Sequence, residues 1–351
     1  MRFSCEGRGA YKEGVEIKNA LAQIEDSQPG LDSLRVNDFP IWQVLRTVYF
    51  FQIFHSEKNS AHRPADKDLR RLWLRLKNMF YGLHHLWKKK TYLVFSNSPE
   101  NKWIGHGYQN KLMFELWQER SPKKFKYFER STGHHPSLKK TLNPSPSSTG
   151  LFDLFAYLLH FFIPAHISLS QQTQLDEIKS QYQTFIDDKK QYRLFTAYLW
   201  VARWYLSRSK ASLIFMSDYY NLFYMAVCKA AREQEIPVVE FQHGVANKEH
   251  PAYNFYLSKF QSEVIPNYLA CFGEQTKKEL EPFGYLPASR IIPHGHAFVR
   301  YMQEKQPPSE LQHQSRGYTH AVVVTLQTNY ATWRAQWIID VPANTRDALF
   351  R

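Results

Sequence analysis

The sequence has 351 residues, of which 43% are hydrophobic and 22% charged, and its formal net charge is +13. This composition excludes fibrous, collagen-like and wholly disordered chains, and the length allows two domains. The basic charge indicates an anionic partner, which could be nucleic acid, phospholipid headgroups or a phosphorylated substrate. The high aromatic content of 16% fits either an aromatic core or a surface that meets sugars or a membrane interface.

Three cysteines are present, Cys5, Cys228 and Cys271, at no spacing that suits a metal site. So few cysteines indicate a reducing compartment without a disulfide framework. The first residues lack the apolar core of a signal peptide. No apolar run reaches the ~18 residues of a membrane-spanning helix. We therefore expect a cytoplasmic protein, and contact with the periphery of the inner membrane is compatible with this expectation.

The first 90 residues are predicted to be a helical segment that packs on or precedes the first domain. Residues 1–30 are polar and expected to be exposed. Apolar residues recur at helical spacing over 35–56, with Pro40 suited to a first turn. Residues 69–90 predict a basic amphipathic helix. This helix could lie on an anionic membrane or pack on the core with its lysines solvated.

Beyond residue 90, short β-rich runs alternate with helical runs. Residues 151–210 are helical in character, and within them 151–165 predicts a buried or interfacial helix. Strands are predicted at 91–98, 123–131, 211–216, 236–242, 267–273 and 290–295, and helices at 106–119, 222–234 and from Thr276, which with Glu279 would form a capping box. Residues 131–150, which are rich in proline, serine and glycine, are predicted to be a loop. This alternation predicts an α/β fold, a Rossmann-like domain with a parallel sheet and added helices over 91–302.

A domain boundary is predicted after this alternation. Residues 303–318 are polar and contain prolines, which indicates a linker. Residues 320–327 then resemble the first strand of a new α/β unit. Too few residues follow to complete a Rossmann-like half, so we expect 319–351 to be only the start of a second domain.

Candidate site residues follow the predicted strands, because ligands of parallel α/β sheets bind beyond the carboxyl ends of the strands. His243 is the candidate catalytic residue, since imidazole transfers protons near neutral pH and the glycine after it lets a ligand approach. It is also compatible with a structural histidine that bonds a neighbouring loop. The candidate substrate-binding residues are Gln242, Gly244, Asp218, Gly273, Glu274, His294 and Gly295. Helix capping near Glu274 and an exposed loop around His294 are the alternative interpretations.

Several well-known site motifs are missing from the sequence. It has no P-loop, no GxGxxG after a strand, no GxSxG, no HExxH and no CxxC, which argues against an NTPase, a classical dehydrogenase, a serine hydrolase and a zinc module. No DxD follows a strand, so a metal-dependent GT-A transferase is not supported. No metal and no cofactor are expected. No recognised nucleic-acid-binding module is present, so nucleic acid is not expected as a partner, and a nucleic-acid-binding protein is the least favoured alternative.

Three segments carry a family resemblance: FQHGVANKEHPAY (241–253), IPNYLACFGEQTKKEL (265–280) and RIIPHGHAF (290–298). Together they resemble the central part of bacterial surface-polysaccharide glycosyltransferases of GT-B fold. That group includes capsule biosynthesis proteins and the more distant CDP-glycerol glycerophosphotransferases. VNDFPIWQVLR (36–46) also resembles an early segment of some members. The resemblance is best over 236–298.

The resemblance implies transfer of a sugar or polyol phosphate from a nucleotide-activated donor to a glycan or lipid-linked acceptor. His243 matches the histidine of the cleft, and Gly273 and Glu274 match the loop after a strand. The second domain usually binds the donor, so 319–351 would be an incomplete donor-binding domain. The later donor motif of the family is missing. The alternative is therefore a truncated, non-catalytic half that binds glycan or partner proteins.

Overall fold

The computed structural model describes positions 23, 25 and 26 and most of residues 31–300; its longest gaps there are 59–76, 113–121, 131–139 and 254–261. The chain divides into two compact units, Met1–Phe298 and Val299–Arg351. The predictions for 303–318 and 319–351 fall outside the described residues and stay predictions.

The described elements alternate for most of the chain. The strands are β1 Arg35–Val36, β2 Phe39–Pro40, β3 Tyr92–Asn97, β4 Asn101–Trp103, β5 Tyr108–Asn110, β6 Phe125–Arg130, β7 Pro146–Ser148, β8 Leu213–Met216, β9 Val238–Phe241, β10 Tyr268–Cys271 and β11 Ile291–Pro293. The α-helices are α1 Trp42–Lys58, α2 Leu83–Leu86, α3 Gly150–Leu159, α4 Leu169–Tyr182, α5 Asp188–Ser209, α6 Leu222–Glu233 and α7 Glu274–Leu280.

Seven strands form one sheet in the order β7-β6-β3-β8-β9-β10-β11. Every neighbouring pair in this sheet is parallel. The chain starts in the middle at β3, adds β6 and β7 on one side, and then returns to add β8 to β11 on the other. The prediction of a Rossmann-like parallel α/β fold is confirmed. The reversal places a topological switch point between β3 and β8, where such sheets bind ligands.

The core lies between the sheet and its helices. Phe95 of β3 stacks on Phe128 of β6 with ring centroids 4.9 Å apart. Phe223 of α6 lies against Phe95 and Phe152 at 5.8 and 5.5 Å. A smaller apolar cluster covers the other face of the sheet, around Tyr127. Because both faces are covered, the central strands form continuous apolar runs, which explains why the sequence predicts them well.

The N-terminal predictions need two corrections. Pro40 lies in β2, which pairs antiparallel with β1, and not in the first turn of a helix. The prediction that residues 1–30 are exposed is wrong for Glu25, which is buried. Its Oε1 accepts hydrogen bonds from Trp42 Nε1 (3.0 Å) and Arg46 Nε (2.6 Å). These hydrogen bonds replace those that the carboxylate would make to water if it were exposed.

The predicted helix over 69–90 is interrupted in its described part. Gly82 has φ 72°, and a Cβ there would lie 2.0 Å from the carbonyl oxygen of Pro146. Only glycine fits this left-handed position so close to another backbone, so the helix cannot run through it. The short α2 begins after Gly82. Residues 69–76 lie outside the described part.

Two further predictions fail in the region between β3 and α3. The helix predicted over 106–119 is wrong at its start, because Tyr108–Asn110 is a strand paired antiparallel with β4. The predicted loop at 131–150 contains β7, which pairs with β6. Both strands are short and polar. They are held by pairing and hydrogen bonds rather than by an apolar pattern that the sequence could reveal.

Candidate active site

The switch point of the sheet is lined by polar residues from two strands. Asn97 ends β3, and Asp218 lies two residues after β8. Asn97 Nδ2 donates a hydrogen bond to Asp218 Oδ1 at 2.5 Å. Asp218 is buried. Asp218 therefore lies in the crevice where Rossmann-like sheets place their ligands. Its position after a predicted strand was the only reason for naming it from the sequence.

The Asp218 carboxylate is held in place by neighbouring donors. Ser217 Oγ donates at 2.9 Å to Oδ1, and Asn221 Nδ2 donates at 3.2 Å to Oδ2. Asn221 also caps α6 by accepting the backbone N–H of Tyr224 at 3.0 Å. Burial raises the pKa of the Asp218 carboxyl, while the charge of His243 and these hydrogen bonds act in the opposite direction. The helix start thus fixes a buried acidic group beside a histidine.

His243 follows the next strand of the sheet, β9, and contacts the loop that carries Asp218. Its Nε2 lies 2.7 Å from the hydroxyl of Tyr220. Its Nδ1 is buried and has no hydrogen-bond partner among the described residues. Burial raises the pKa of Tyr220 well above its usual value, and the negative charge of Asp218 adds to this. The phenol therefore stays protonated and can either donate to Nε2 or accept from it.

Aromatic side chains pack around this pair. The ring of His250 lies 5.4 Å from that of Tyr220 and 4.9 Å from that of Tyr253. Tyr253 donates to Glu240 Oε1 at 2.8 Å. Burial lowers the pKa of His250 to about 4, and the charge of His243 contributes. His250 is therefore neutral near pH 7 and forms part of the wall.

Gln242 ties two strand ends together. Its Oε1 accepts the N–H of Phe272 at 2.7 Å, and its Nε2 donates to the carbonyl of Gly244 at 2.8 Å. Both ends of the side chain are thus engaged within the protein. Gly244 is exposed, and apart from its chain neighbours no atom of the described residues lies within 4 Å of the position a Cβ would take. The backbone beside His243 is therefore open to a ligand, and contact with substrate through Gln242 and Gly244 stays a prediction.

The other candidate residues lie along the same edge of the sheet, because β10 and β11 continue the parallel order. Gly273 is the N-cap of α7, and Glu274 in its first turn is exposed. The capping box predicted at Thr276 is therefore wrong, since the helix begins earlier. The N–H groups of His294 and Gly295 both donate to the carbonyl of Cys271, at 2.8 and 3.3 Å. Substrate contact by these residues stays a prediction.

Two members of the site were not singled out from the sequence, Asn97 and Tyr220. Tyr220 stands in the Ser-Asp-Tyr-Tyr run after β8, and Asn97 stands at a strand end. Strand-end position was therefore a signal for both. Which of the two adjacent tyrosines meets the histidine was not predictable. The tertiary structure decides it, since Tyr219 instead donates to the carbonyl of Ala252.

A second polar cluster lies at the end of β6 and was missed entirely. Glu129 Oε2 accepts from Asn101 Nδ2 at 2.8 Å, and Asn101 Oδ1 accepts from Tyr127 at 3.1 Å. Asn110 Nδ2 donates to Ser96 Oγ at 2.7 Å. Burial raises the pKa of Glu129 to about 7, although the hydrogen bond from Asn101 opposes the rise. A carboxyl of this kind changes its charge within the physiological range.

Replacing Glu129→Gln is expected to stabilise the protein above pH 7. The pKa of the Glu129 carboxyl is higher in the folded state than in the unfolded state. The stability that the protonated carboxyl contributes is therefore complete below about pH 4.5, the unfolded-state pKa, and is lost as the pH rises through about 7, the folded-state pKa. The rise from 4.5 to about 7 corresponds to about 3 kcal/mol of unfolding free energy at pH 8. Glutamine resembles the protonated form and should remove this loss.

The measurement is urea denaturation of both proteins at several pH values. The matched control is Glu235→Gln, since Glu235 is exposed. The control should follow the wild-type pH profile. Equal pH profiles for wild type and Glu129→Gln would contradict a raised pKa at this carboxyl.

The described residues contain neither a cluster of metal ligands nor a helix that could span a membrane. No three His, Cys, Asp or Glu side chains lie together there as a metal site. No described helix has both the length and the apolar character needed to cross a membrane.

Comparisons with known proteins show only a loose structural similarity. No protein-family model matches the sequence, and no curated protein matches it. UDP-GlcNAc 2-epimerase from Neisseria meningitidis, bound to UDP-GlcNAc, is 13% identical over 65% of this chain and 53% of its own, with a TM-score of 0.32. A putative UDP-N-acetylglucosamine 2-epimerase from Listeria monocytogenes is 12% identical over 65% and 51%, with a TM-score of 0.31.

The wall teichoic acid polymerase TagF is 12% identical over 80% of this chain and 53% of its own, with a TM-score of 0.31. The chain thus spans about half the length of these proteins. At such identities and TM-scores, the similarity does not extend to activity.

Proposed function

We propose that this chain belongs to a GT-B-type glycosyltransferase that builds bacterial surface or capsular polysaccharide. It would transfer a sugar or polyol phosphate from a nucleotide-activated donor to a glycan or lipid-linked acceptor. The observation that carries the proposal is the pair of His243 and Tyr220 beside buried Asp218, at the switch point of a Rossmann-like sheet. The family resemblance over 236–298 supports the same reaction. The sheet domain would be the acceptor side.

In this reaction His243 acts as the general base. The hydroxyl of the acceptor enters beside exposed Gly244 and gives its proton to the half-buried imidazole of His243. The hydroxyl of Tyr220, 2.7 Å from Nε2, holds the ring in place for this step. The nearby carboxylate of Asp218 stabilises the imidazolium that forms. The acceptor oxygen bonds to the donor carbon or phosphorus, and the nucleotide leaves with the bonding electrons.

Ligand-dependent melting tests this proposal. The full chain is heated with UDP-, CMP-, CDP- and GDP-linked sugars, each with and without a surface glycan. A ligand that binds only the folded form raises the melting temperature by mass action. At a concentration of 100 times its dissociation constant it adds about 2.7 kcal/mol to the free energy of unfolding. We expect one nucleotide class to raise it and labelled sugar from that class to appear in the glycan. Stabilisation by glycan alone, without transfer, would favour the non-catalytic half, and no stabilisation by any of them would contradict the proposal.

We also infer that the protein works in the cytoplasm at the inner membrane, where lipid-linked acceptors are presented. Contact through the segment 69–90 remains part of this proposal. Its described residues include exposed Trp87, Lys88 and Lys89. An interfacial tryptophan next to lysines is typical of segments that lie on anionic lipid.

A further inference from the structure

Exposed apolar side chains are concentrated on one part of the described chain. Of the 13 large hydrophobic side chains exposed there, 10 fall in three short stretches, 80–87, 155–162 and 200–204. We call this set the aromatic face: Phe80, Leu83, Trp87, Phe155, Tyr157, Leu158, Phe161, Phe162, Trp200 and Trp204. Phe161 is 65% exposed and Phe162 82%. Monomeric proteins rarely leave such a concentration of large rings in water unless something binds it.

The three stretches meet on helix α5. Helix α3 packs on α5 through Phe152, whose ring lies 5.2 Å from that of Tyr205. Tyr198 of α5 donates to Asp153 of α3 at 2.8 Å. Trp87 lies edge-on to Trp204 of α5, with ring centroids 5.8 Å apart. The aromatic face is therefore built from neighbouring elements on a rigid support and not from scattered side chains.

Two of the three segments that carry the aromatic face are basic. Residues 77–90 and 196–211 together contain seven lysines and arginines and no acidic residue, whereas 150–166 contains no lysine or arginine and one acidic residue, Asp153. Asp153 is engaged by Tyr198, and Arg203 forms an ion pair with Glu233. Lys88, Lys89 and Arg208 are exposed. Two copies of such a surface would repel each other, whereas an anionic surface would be attracted.

The length of α3 decides how it meets lipid. It has 10 residues, which correspond to about 15 Å, half of the ~30 Å hydrocarbon core of a bilayer. It therefore cannot span a membrane but can lie in the headgroup region with its rings toward the acyl chains. Its aromatic and leucine side chains, with the lysines and arginines of the neighbouring segments 77–90 and 196–211, give the composition that is typical of an interfacial surface.

We propose that the aromatic face docks on the surface of an anionic lipid bilayer, with Phe161 and Phe162 inserted at the headgroup boundary and Lys88, Lys89 and Arg208 on the headgroups. This surface includes the described end of the segment 69–90 and extends the membrane contact proposed above to α3 and α5. It lies outside the candidate active site, and its binding does not depend on the proposed reaction. It assigns a membrane orientation to the sheet domain.

Vesicle sedimentation of the full chain tests the docking. The vesicles contain phosphatidylcholine alone or equal amounts of phosphatidylcholine and phosphatidylglycerol. We expect binding to the anionic vesicles that weakens as salt is added. The triple variant Leu158→Ser, Phe161→Ser, Phe162→Ser should lower the partition coefficient more than about tenfold, because each side chain loses its burial in lipid. All three are exposed, so the melting temperature should not fall.

Matched variants distinguish docking through the aromatic face from nonspecific hydrophobic adsorption and from an effect of net charge alone. Ile292→Ser removes an exposed apolar side chain from β11, at the opposite edge of the sheet from β7, and should bind like wild type. Lys88→Glu with Lys89→Glu should weaken binding and flatten its salt dependence. Lys190→Glu with Lys278→Glu makes the same change of net charge elsewhere and should weaken binding less.

Three results would overturn the proposal. The first is a wild-type chain that does not sediment with anionic vesicles. The second is equal binding of wild type and the triple variant. The third is a wild-type dimer in light scattering that becomes monomeric in the triple variant without vesicle binding, because the aromatic face would then be covered by a second copy.

Discussion

Replacing His243→Ala is expected to lower the rate of sugar transfer by about 10²- to 10⁴-fold, the usual contribution of a general base. The acceptor hydroxyl would have no suitable group to take its proton, since burial lowers the pKa of the neighbouring His250 to about 4, which makes it a weak base, and its ring forms part of the wall. His243 is only half-buried, and its contact through Nε2 is with Tyr220. Its loss should therefore leave the fold unchanged.

The measurement is the initial rate of transfer from the donor class identified by melting, together with the melting temperature of each variant. Tyr220→Phe keeps the ring but removes the hydroxyl that orients Nε2. It should give a smaller loss of rate and shift the pH profile, which a merely structural residue would not do. His85→Ala is the control, because this half-buried histidine lies in α2, away from the switch point. If His243→Ala transferred sugar at the wild-type rate, the proposal that His243 is the general base would be wrong.

Replacing Phe223→Ala is expected to lower the free energy of unfolding by about 3 to 5 kcal/mol, as for other buried phenylalanines. The ring is 1% exposed. It contacts Phe95 of β3, Phe152 of α3 and Tyr198 of α5, with centroids 5.4 to 5.8 Å away. These neighbours belong to different elements and cannot all move into the vacated space, so a cavity should remain.

Urea denaturation in lipid-free buffer measures this effect. Phe162→Ala is the matched control, since it makes the same substitution at a ring that is 82% exposed. It should change the free energy of unfolding by no more than about 0.5 kcal/mol. If Phe223→Ala lowered the free energy of unfolding no more than Phe162→Ala does, this would contradict the packing of α6 between the sheet, α3 and α5. Because α6 also positions Asp218 through Asn221, the variant should lose transfer activity at temperatures where it still folds.

Part of the site could be predicted from the sequence because a parallel sheet follows simple rules. Its central strands are buried on both faces, so β3, β6 and β8 to β11 are recognisable as apolar or β-rich runs between helices. The residues that follow these strands must meet at one edge of the sheet. Asp218 and His243 were candidates for this reason. The structure places both at that edge, where His243 contacts the loop that carries Asp218 through Tyr220.

The contacts that give these residues their properties were decided by the tertiary structure alone. The pairing of His243 with Tyr220 joins two loops, and the raised pKa of Glu129 depends on burial beneath residues distant in sequence. The strand Pro146–Ser148 has no apolar pattern and exists because β6 offers it backbone partners.

Gly82 shows that tertiary contacts also decide where a helix is interrupted. Its neighbours favour a helix over 69–90, yet the approach of Pro146 to its backbone interrupts it. Hydrophobic pattern therefore determined the strands and the edge where ligands bind. Hydrogen bonds and close contacts between distant residues decided the rest, because their free energies depend on neighbours that only the folded chain supplies.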